Sequence, residues 1–173
     1  MTNSNSQETG DDVIIREAQP NDAAAIIRFL RQASHESDAI LITGLRSLTD
    51  AKESDNLATI QRSDDCEVVV ACLGRQVIGI VTIMVVADHP NTGELGVVVG
   101  RDYWHNGIGS ALLDTILDWY QHSSSLRQLV LDVFADNARA INLYRHYGFA
   151  EVSRGQTQTA KGVEKPLLHM IYD

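Results

Sequence analysis

The chain is short of positive charge. Its 14 Lys and Arg face 23 Asp and Glu, a formal net charge of -9 at pH 7. A nucleic-acid binder needs a basic face to displace counterions from phosphate, so no nucleic-acid partner is expected and a protonated amine is the favoured kind of substrate. Cysteine is equally scarce. Cys66 and Cys72 are the only two, they fall in or beside one predicted strand, and they lack metal-ligand spacing, so they read as reduced core thiols. The six histidines are scattered singly, with no HExxH pair or Cys/His cluster, and no metal is expected. Long apolar runs are missing as well. The longest, Val77 to Ala87, is shorter than the roughly 20 residues of a membrane helix and rich in β-branched residues, which predicts a buried strand and no membrane partner. The opening MTNSNSQETGDD has neither an apolar stretch nor a basic cluster, so no targeting signal is read there and a cytoplasmic location is expected.

With 173 residues, 44% of them hydrophobic, the chain can bury one sizeable core and has no room for two ordinary domains. Residues 1–12 read as a disordered polar tail and 13–173 as a single domain. Along that domain the pattern predicts a strand over Val13 to Ala18 and a helix over Ala23 to Ala33, opened by Pro20, Asn21 and Asp22. The stretch His35 to Arg62 reads as an irregular piece followed by a helix near Asp50 to Gln61. A hairpin follows, Glu67 to Leu73 and Gln76 to Ala87, turning at Gly74-Arg75. After a loop at His89-Pro90-Asn91 come strand Glu94 to Val99, helix Gly107 to His122, strand Gln128 to Phe134 and helix Ala138 to His146. Strands near Phe149 to Arg154 and Leu167 to Tyr172 end the chain. Strands flanked by helices on both sides imply an α/β sandwich around a mixed sheet.

The segment with most chemistry is VVVGRDYWHNGIGSALL, Val97 to Leu113, an apolar strand that enters a glycine-bearing turn and then an amphipathic helix. Gly107 and Gly109 let successive N–H groups point into one concavity, and the helix adds unpaired N-terminal donors and the positive end of its dipole. The segment reads as a backbone cradle for phosphate, with a plain glycine turn before a core helix as the other reading. It is not a Walker loop, because Ser110 and Ala111 follow Gly109 where Lys and a hydroxyl residue are needed. Nor is it a dinucleotide fingerprint, because Leu112 stands in place of the third glycine.

About thirty residues downstream, NARAINLYRHYGF, Asn137 to Phe149, follows another apolar strand and places Ala140, Leu143 and Tyr144 at helical spacing. Together the two segments resemble the GNAT superfamily of N-acetyltransferases. Gly107 and Gly109 match that family's pyrophosphate loop, with Trp104 where Gln or Arg is usual. Asn137, Ala140, Leu143-Tyr144 and Gly148-Phe149 match its second motif. The resemblance implies a mixed, mostly antiparallel, six- to seven-stranded sheet flanked by helices, the GNAT-like acyl-CoA N-acyltransferase fold. It also implies acetyl-CoA as acetyl donor and direct attack of a primary amine on the thioester, in a ternary complex.

On that resemblance Tyr144 is expected to be the acid for the departing thiolate. A phenol of reference pKa about 10 stays protonated at neutral pH beside a thiol near about 8.5. Glu94 is expected to be the base, with Asp132 as fallback. The main chain of Val97, Val98 and Val99 is expected to hold pantetheine like an added strand and to supply the oxyanion donor. Trp104, His105, Asn106, Gly107, Ile108, Gly109 and Ser110 are expected to contact the phosphates, and Asn137, Ala140 and Tyr144 the rest of the cofactor. Arg101, Arg139 and Arg145 neighbour the two motifs and are further candidates for the anionic end. The acceptor, a small-molecule or peptide amine, is expected against His35 to Arg62, the loop near His89 and Gly155 to Pro166. The fold also permits a homodimer. The alternative function is a binding module that holds acyl-CoA as a sensor without turnover.

Overall fold

The computed structural model describes residues 12–37, 44–159 and 161–173. The expected polar tail falls outside these residues except for Asp12, and so does part of the irregular stretch after His35. The described chain runs β1 (Val13–Glu17), α1 (Ala23–Glu36), α2 (Asp50–Ile60), β2 (Glu67–Leu73), β3 (Gln76–Val86) and β4 (His89–Val99). It continues through α3 (Ile108–His122), β5 (Gln128–Phe134), α4 (Ala138–His146), β6 (Phe149–Gln158) and β7 (Glu164–Tyr172). These strands form one seven-stranded sheet in the order β1-β2-β3-β4-β5-β7-β6. β4 and β5 pair parallel and the other neighbours antiparallel.

The sheet is covered on both faces because its central strands are apolar on both. α3 lays Leu112, Leu113, Ile116 and Leu117 on one face, in a core shared with Leu95, Leu129, Leu131, Val133, Ile141 and Tyr144. α1 lays Ala23, Ile26, Phe29 and Ala33 on the other, against Val68, Val70, Val77 and Ile80, with Leu57 of α2 closing that cluster. Arg16 of β1 grips Asp22 with two nitrogens at 2.7 and 2.9 Å just before α1, and that bond holds the Asp22 carboxyl below the usual carboxylate range.

β4 is longer than the sequence pattern predicts. The expected loop at His89-Pro90-Asn91 is strand, joined to β3 by a turn at Ala87-Asp88. The register jumps from Val85 opposite Gly93 to Val86 opposite His89, which throws Pro90, Asn91 and Thr92 into a bulge. A proline in a bulge forfeits no ladder hydrogen bond, so its presence does not end the strand. β6 runs on to Gln158 and β7 starts at Glu164, both through polar residues of the exposed sheet edge where no apolar alternation marks a strand.

The feature that positions the site is a short pairing. β4 and β5 meet only through Thr92, Gly93 and Glu94, opposite Gln128, Leu129 and Val130. Beyond Glu94 the two strands diverge, and the sheet opens like a V.

Candidate functional site

A cleft of about 840 Å³ occupies the opening, a size at the upper end of the usual range for small-molecule pockets. β4 supplies Glu94 through Val99, β5 supplies Asp132, Val133 and Phe134, and α4 supplies Arg139, Ala140, Leu143 and Tyr144. Leu30, Ala33 and Glu36 of α1 close it from the opposite face.

The ladder fixes which main-chain groups of β4 face the cleft. Gly100 N–H donates to Ile78 C=O at 2.9 Å, and antiparallel bonding alternates, so Val98 and Gly96 also turn their polar groups toward β3. Val97 and Val99 therefore turn theirs toward the side that β5 has left. The Val99 carbonyl accepts the Trp104 indole N–H at 2.9 Å. Val98 contributes its side chain, on the face of α1.

Side chains divide by face. Leu95 and Val97, and Leu131 and Val133 on β5, pack toward α3. Strand alternation then sends Glu94 and Asp132 to the face of α1. Glu94 keeps exposed surface, yet the cleft walls strip part of its water and raise its pKa, with the charge of Asp132 adding to the rise. Asp132 in turn bonds through Oδ1 to Nδ1 of His169, its cross-strand partner on β7. An added Cβ at Gly155 of β6 would lie 2.8 Å from the other ring nitrogen, so this glycine makes room for the imidazole.

Tyr144 stands on the α3 face, 7% exposed and edge-on to Phe149 at 5.9 Å. Its hydroxyl has no hydrogen-bond partner among the described residues, while no fully buried side-chain oxygen is left unsatisfied there. That oxygen therefore reaches the open cleft. Burial pushes the phenol up to about 12, with Arg139 opposing the rise. Asn137 caps α4, its Oδ1 accepting Ala140 N–H at 3.2 Å, and its amide nitrogen is left for another partner.

Of the residues singled out from the sequence, the structure brings Glu94, Val97, Val98, Val99, Trp104, Gly109, Asp132, Asn137, Arg139, Ala140 and Tyr144 to this cleft. His105, Asn106, Gly107, Ile108 and Ser110 form the turn and first helical residues beside it. His105 is exposed with φ 65, and the Ser110 carbonyl accepts the Tyr147 hydroxyl at 3.0 Å. Asn106, Gly107 and Ile108 border a smaller hollow of about 380 Å³ with Val13, Ile15 and Tyr103. Gly107 has φ 75 and nothing within 4 Å of an added Cβ. It is required by backbone conformation rather than by space. Having no side chain, it leaves the N–H groups of Ile108, Gly109 and Ser110 without a cap.

The segment near His89 is not among the residues lining the cleft, because it belongs to the bulged start of β4. Among the described residues of the stretch His35 to Arg62, Glu36 and Ser37 reach the cleft, and from the tail segment Lys165 does, its Nζ bonded to Asp136 at 3.0 Å. Sequence reasoning missed Leu30, Ala33, Thr82 and the His169 pairing. Nothing in the order of residues signals that β7 inserts between β5 and β6. Among the described residues no group of three or more His, Cys, Asp or Glu is placed to hold a metal, and no helix is long and apolar enough to cross a membrane.

A model of the acetyltransferase (GNAT) family matches residues 35–149. The L-amino acid N-acetyltransferase AaaT of Escherichia coli K12 is 30% identical over 98 residues, 55% of this chain and 60% of that protein, so the match spans about three-fifths of the relative. An acetyltransferase of the GNAT family from Streptococcus pneumoniae superposes with a TM-score of 0.85 at 32% identity, over 92% of this chain and 98% of that one. An acetyltransferase from Salmonella typhimurium, solved with its cofactor acetyl-CoA, superposes with a TM-score of 0.78 over 94% of each chain, and at 22% identity it speaks for the fold alone.

Proposed function

This chain belongs to the acetyltransferase (GNAT) family, and from that membership we propose that it moves the acetyl group of acetyl-CoA directly to a primary amine held in the same cleft. The observation that carries the reading is the divergence of β4 and β5 after Glu94. It sets the unpartnered Tyr144 hydroxyl on one face of the sheet and the Glu94 and Asp132 carboxylates on the other, with the outward main chain of Val97 and Val99 between them. When bound, acetyl-CoA supplies an acetyl group activated as a thioester.

The residues present fit that donor. Three uncapped N–H groups at the start of α3 suit its diphosphate. The outward C=O of Val97 and N–H of Val99 suit an amide-bearing arm laid along the strand edge, and the Asn137 amide nitrogen suits the same arm. Neither Cys66 nor Cys72 is among the described residues lining the cleft, so no thiol is placed there to form an acyl-enzyme.

Glu94 takes the proton from the incoming ammonium, directly or through one water. Its raised proton affinity makes it a better base than an ordinary surface carboxylate. One outward N–H, that of Val97, meets the carbonyl oxygen as it gains charge. Tyr144 donates its hydroxyl hydrogen to the departing sulfur as the C–S bond breaks, and its oxygen regains a proton, directly or through solvent, from the nitrogen that became cationic on bonding to carbon. A phenol at about 12 lies some 3.5 units above an ordinary thiol, so complete transfer would be uphill by about 5 kcal/mol. The same desolvation raises the thiolate's proton affinity and narrows that gap.

The excess of carboxylates on the acceptor face suits a cationic amine, and the name of the Escherichia coli relative makes L-amino acids the first acceptors to try. The test is release of free thiol from acetyl-CoA with a panel of amines, comparing the native chain with Tyr144→Phe. Amine-dependent release that collapses in the variant is expected. Tight CoA binding with no amine accelerating release would replace the enzyme by a sensor.

A further inference from the structure

Trp104 is gripped from outside by two arginines. The Arg139 guanidinium carbon lies 3.9 Å from the indole centroid and that of Arg101 lies 5.7 Å from it. The indole cannot swing away, because its N–H is bonded to the Val99 carbonyl. Neither guanidinium has an ion pair or side-chain hydrogen bond among the described residues. Nearby carboxylates are otherwise engaged: Glu36 accepts the main-chain N–H of Arg101 at 3.2 Å, and Asp136 holds Lys165.

This arrangement is unfavourable taken alone. Two like charges share one ring in a chain of net charge -9 that has acids to spare. Arg139 also sits in the first turn of α4, at the positive end of the helix dipole, where a cation is disfavoured. Burial further disfavours its charge. Cation–π attraction offsets only part of that cost. An anion seated over Arg139 would offset the remainder, and the cleft beside it is also bordered by Gly109, at the uncapped start of α3.

We infer that Arg139, stacked on Trp104 and backed by Arg101, binds a phosphate group of the nucleotide end of the donor. The inference rests on the donor reading above. Two phosphates share this chemistry, the diphosphate bridge and the 3′-phosphate of the ribose, and the test separates them.

Calorimetric titration of the full chain with CoA and with 3′-dephospho-CoA, at low and at high salt, reads the effect without turnover. Arg139→Gln is expected to weaken CoA binding by about tenfold or more, Arg101→Gln by less, and the Arg139→Gln loss shrinks at high salt. A loss for CoA alone assigns the 3′-phosphate, and an equal loss for both ligands assigns the diphosphate. Arg139→Met, which keeps the apolar stem on the ring, is the second variant in case Gln disturbs the fold. If native protein binds CoA and both Arg139 variants bind it equally well, the inference is overturned and the donor reading stands. A loss identical at both salt concentrations marks mere packing and overturns it too. Native protein that binds no CoA would overturn the donor reading together with the clamp.

Discussion

The wall of the cleft built by α3 and α4 presents main-chain N–H groups, one amide, one guanidinium and one phenol, whereas the wall facing α1 presents the carboxylates of Glu94 and Asp132. The first is made from two contiguous stretches of chain. The second is assembled across strands far apart in sequence. A helix start or a helix cap is fixed within a few residues, so its chemistry travels with a motif. A carboxylate pair across β4 and β5, with an imidazole behind it on β7, exists only once the register is set. The two walls should accordingly respond differently to substitution and to pH.

The largest expected effect is on the α4 wall. Tyr144→Phe removes the hydroxyl and keeps the ring against Phe149, so kcat should fall by about a hundredfold or more while the KM for acetyl-CoA changes little. Burial holds this phenol near 12, so the native enzyme should show no alkaline limb from Tyr144 across the ordinary assay range. An equal fall in kcat/KM for every amine would sharpen the distinction between the walls. A fall confined to one amine would blur it, because Tyr144 would then be reading the acceptor.

Next in size is Glu94→Gln. A base works only when deprotonated, so the native kcat/KM should rise with pH through a limb above the usual carboxylate range, as burial first and Asp132 second dictate. The Gln variant should lose roughly tenfold or more in rate, along with that limb. Retention of the limb in the variant would show that another group titrates. Asp132→Asn is the smaller companion. Removing the neighbouring charge should lower the limb toward the usual range without reaching it, because desolvation, the larger cause, is untouched. An upward move would mean that Asp132 works chiefly through His169 rather than by its charge on Glu94.

The same contrast explains what could be read from the residues alone. Among the described residues the seven strands and four α-helices follow from periodicity, and Gly107, Gly109, Asn137 and Tyr144 stand out because turn, cap and helix spacing are local. The start of β4 was hidden by Pro90, which ordinarily ends a strand and here sits in a bulge. The ends of β6 and β7 were hidden by polar edge residues. His169 was invisible because its partner lies 37 positions earlier on a strand it meets only through the β5-β7-β6 order. Arg139 was visible as a residue near a motif, but its stacking on Trp104 needs the spatial approach of α4 to the loop before α3.

The smallest effect is a control on the carboxylate wall. Glu67 of β2 is also desolvated, its pKa raised to about 6 from 4.5, but it lies outside the cleft, accepting Val68 N–H at 2.7 Å. A raised carboxyl pKa in the folded state means that folding favours the neutral form. Its contribution to stability is therefore full below about pH 4.5 and is lost as pH rises through about 6. Glu67→Gln keeps the acceptor oxygen and removes the charge. At neutral pH it should gain about 1 kcal/mol after allowing for solvent screening, or roughly 2–4 °C in Tm. At pH 4 the gain should vanish, and kcat should be unchanged throughout. Thermal melts at the two pH values check the first part and thiol release the second. If this substitution altered the acidic limb of kcat/KM, the limb could no longer be assigned to Glu94, since a shifted carboxylate remote from the acceptor would be reaching the reaction.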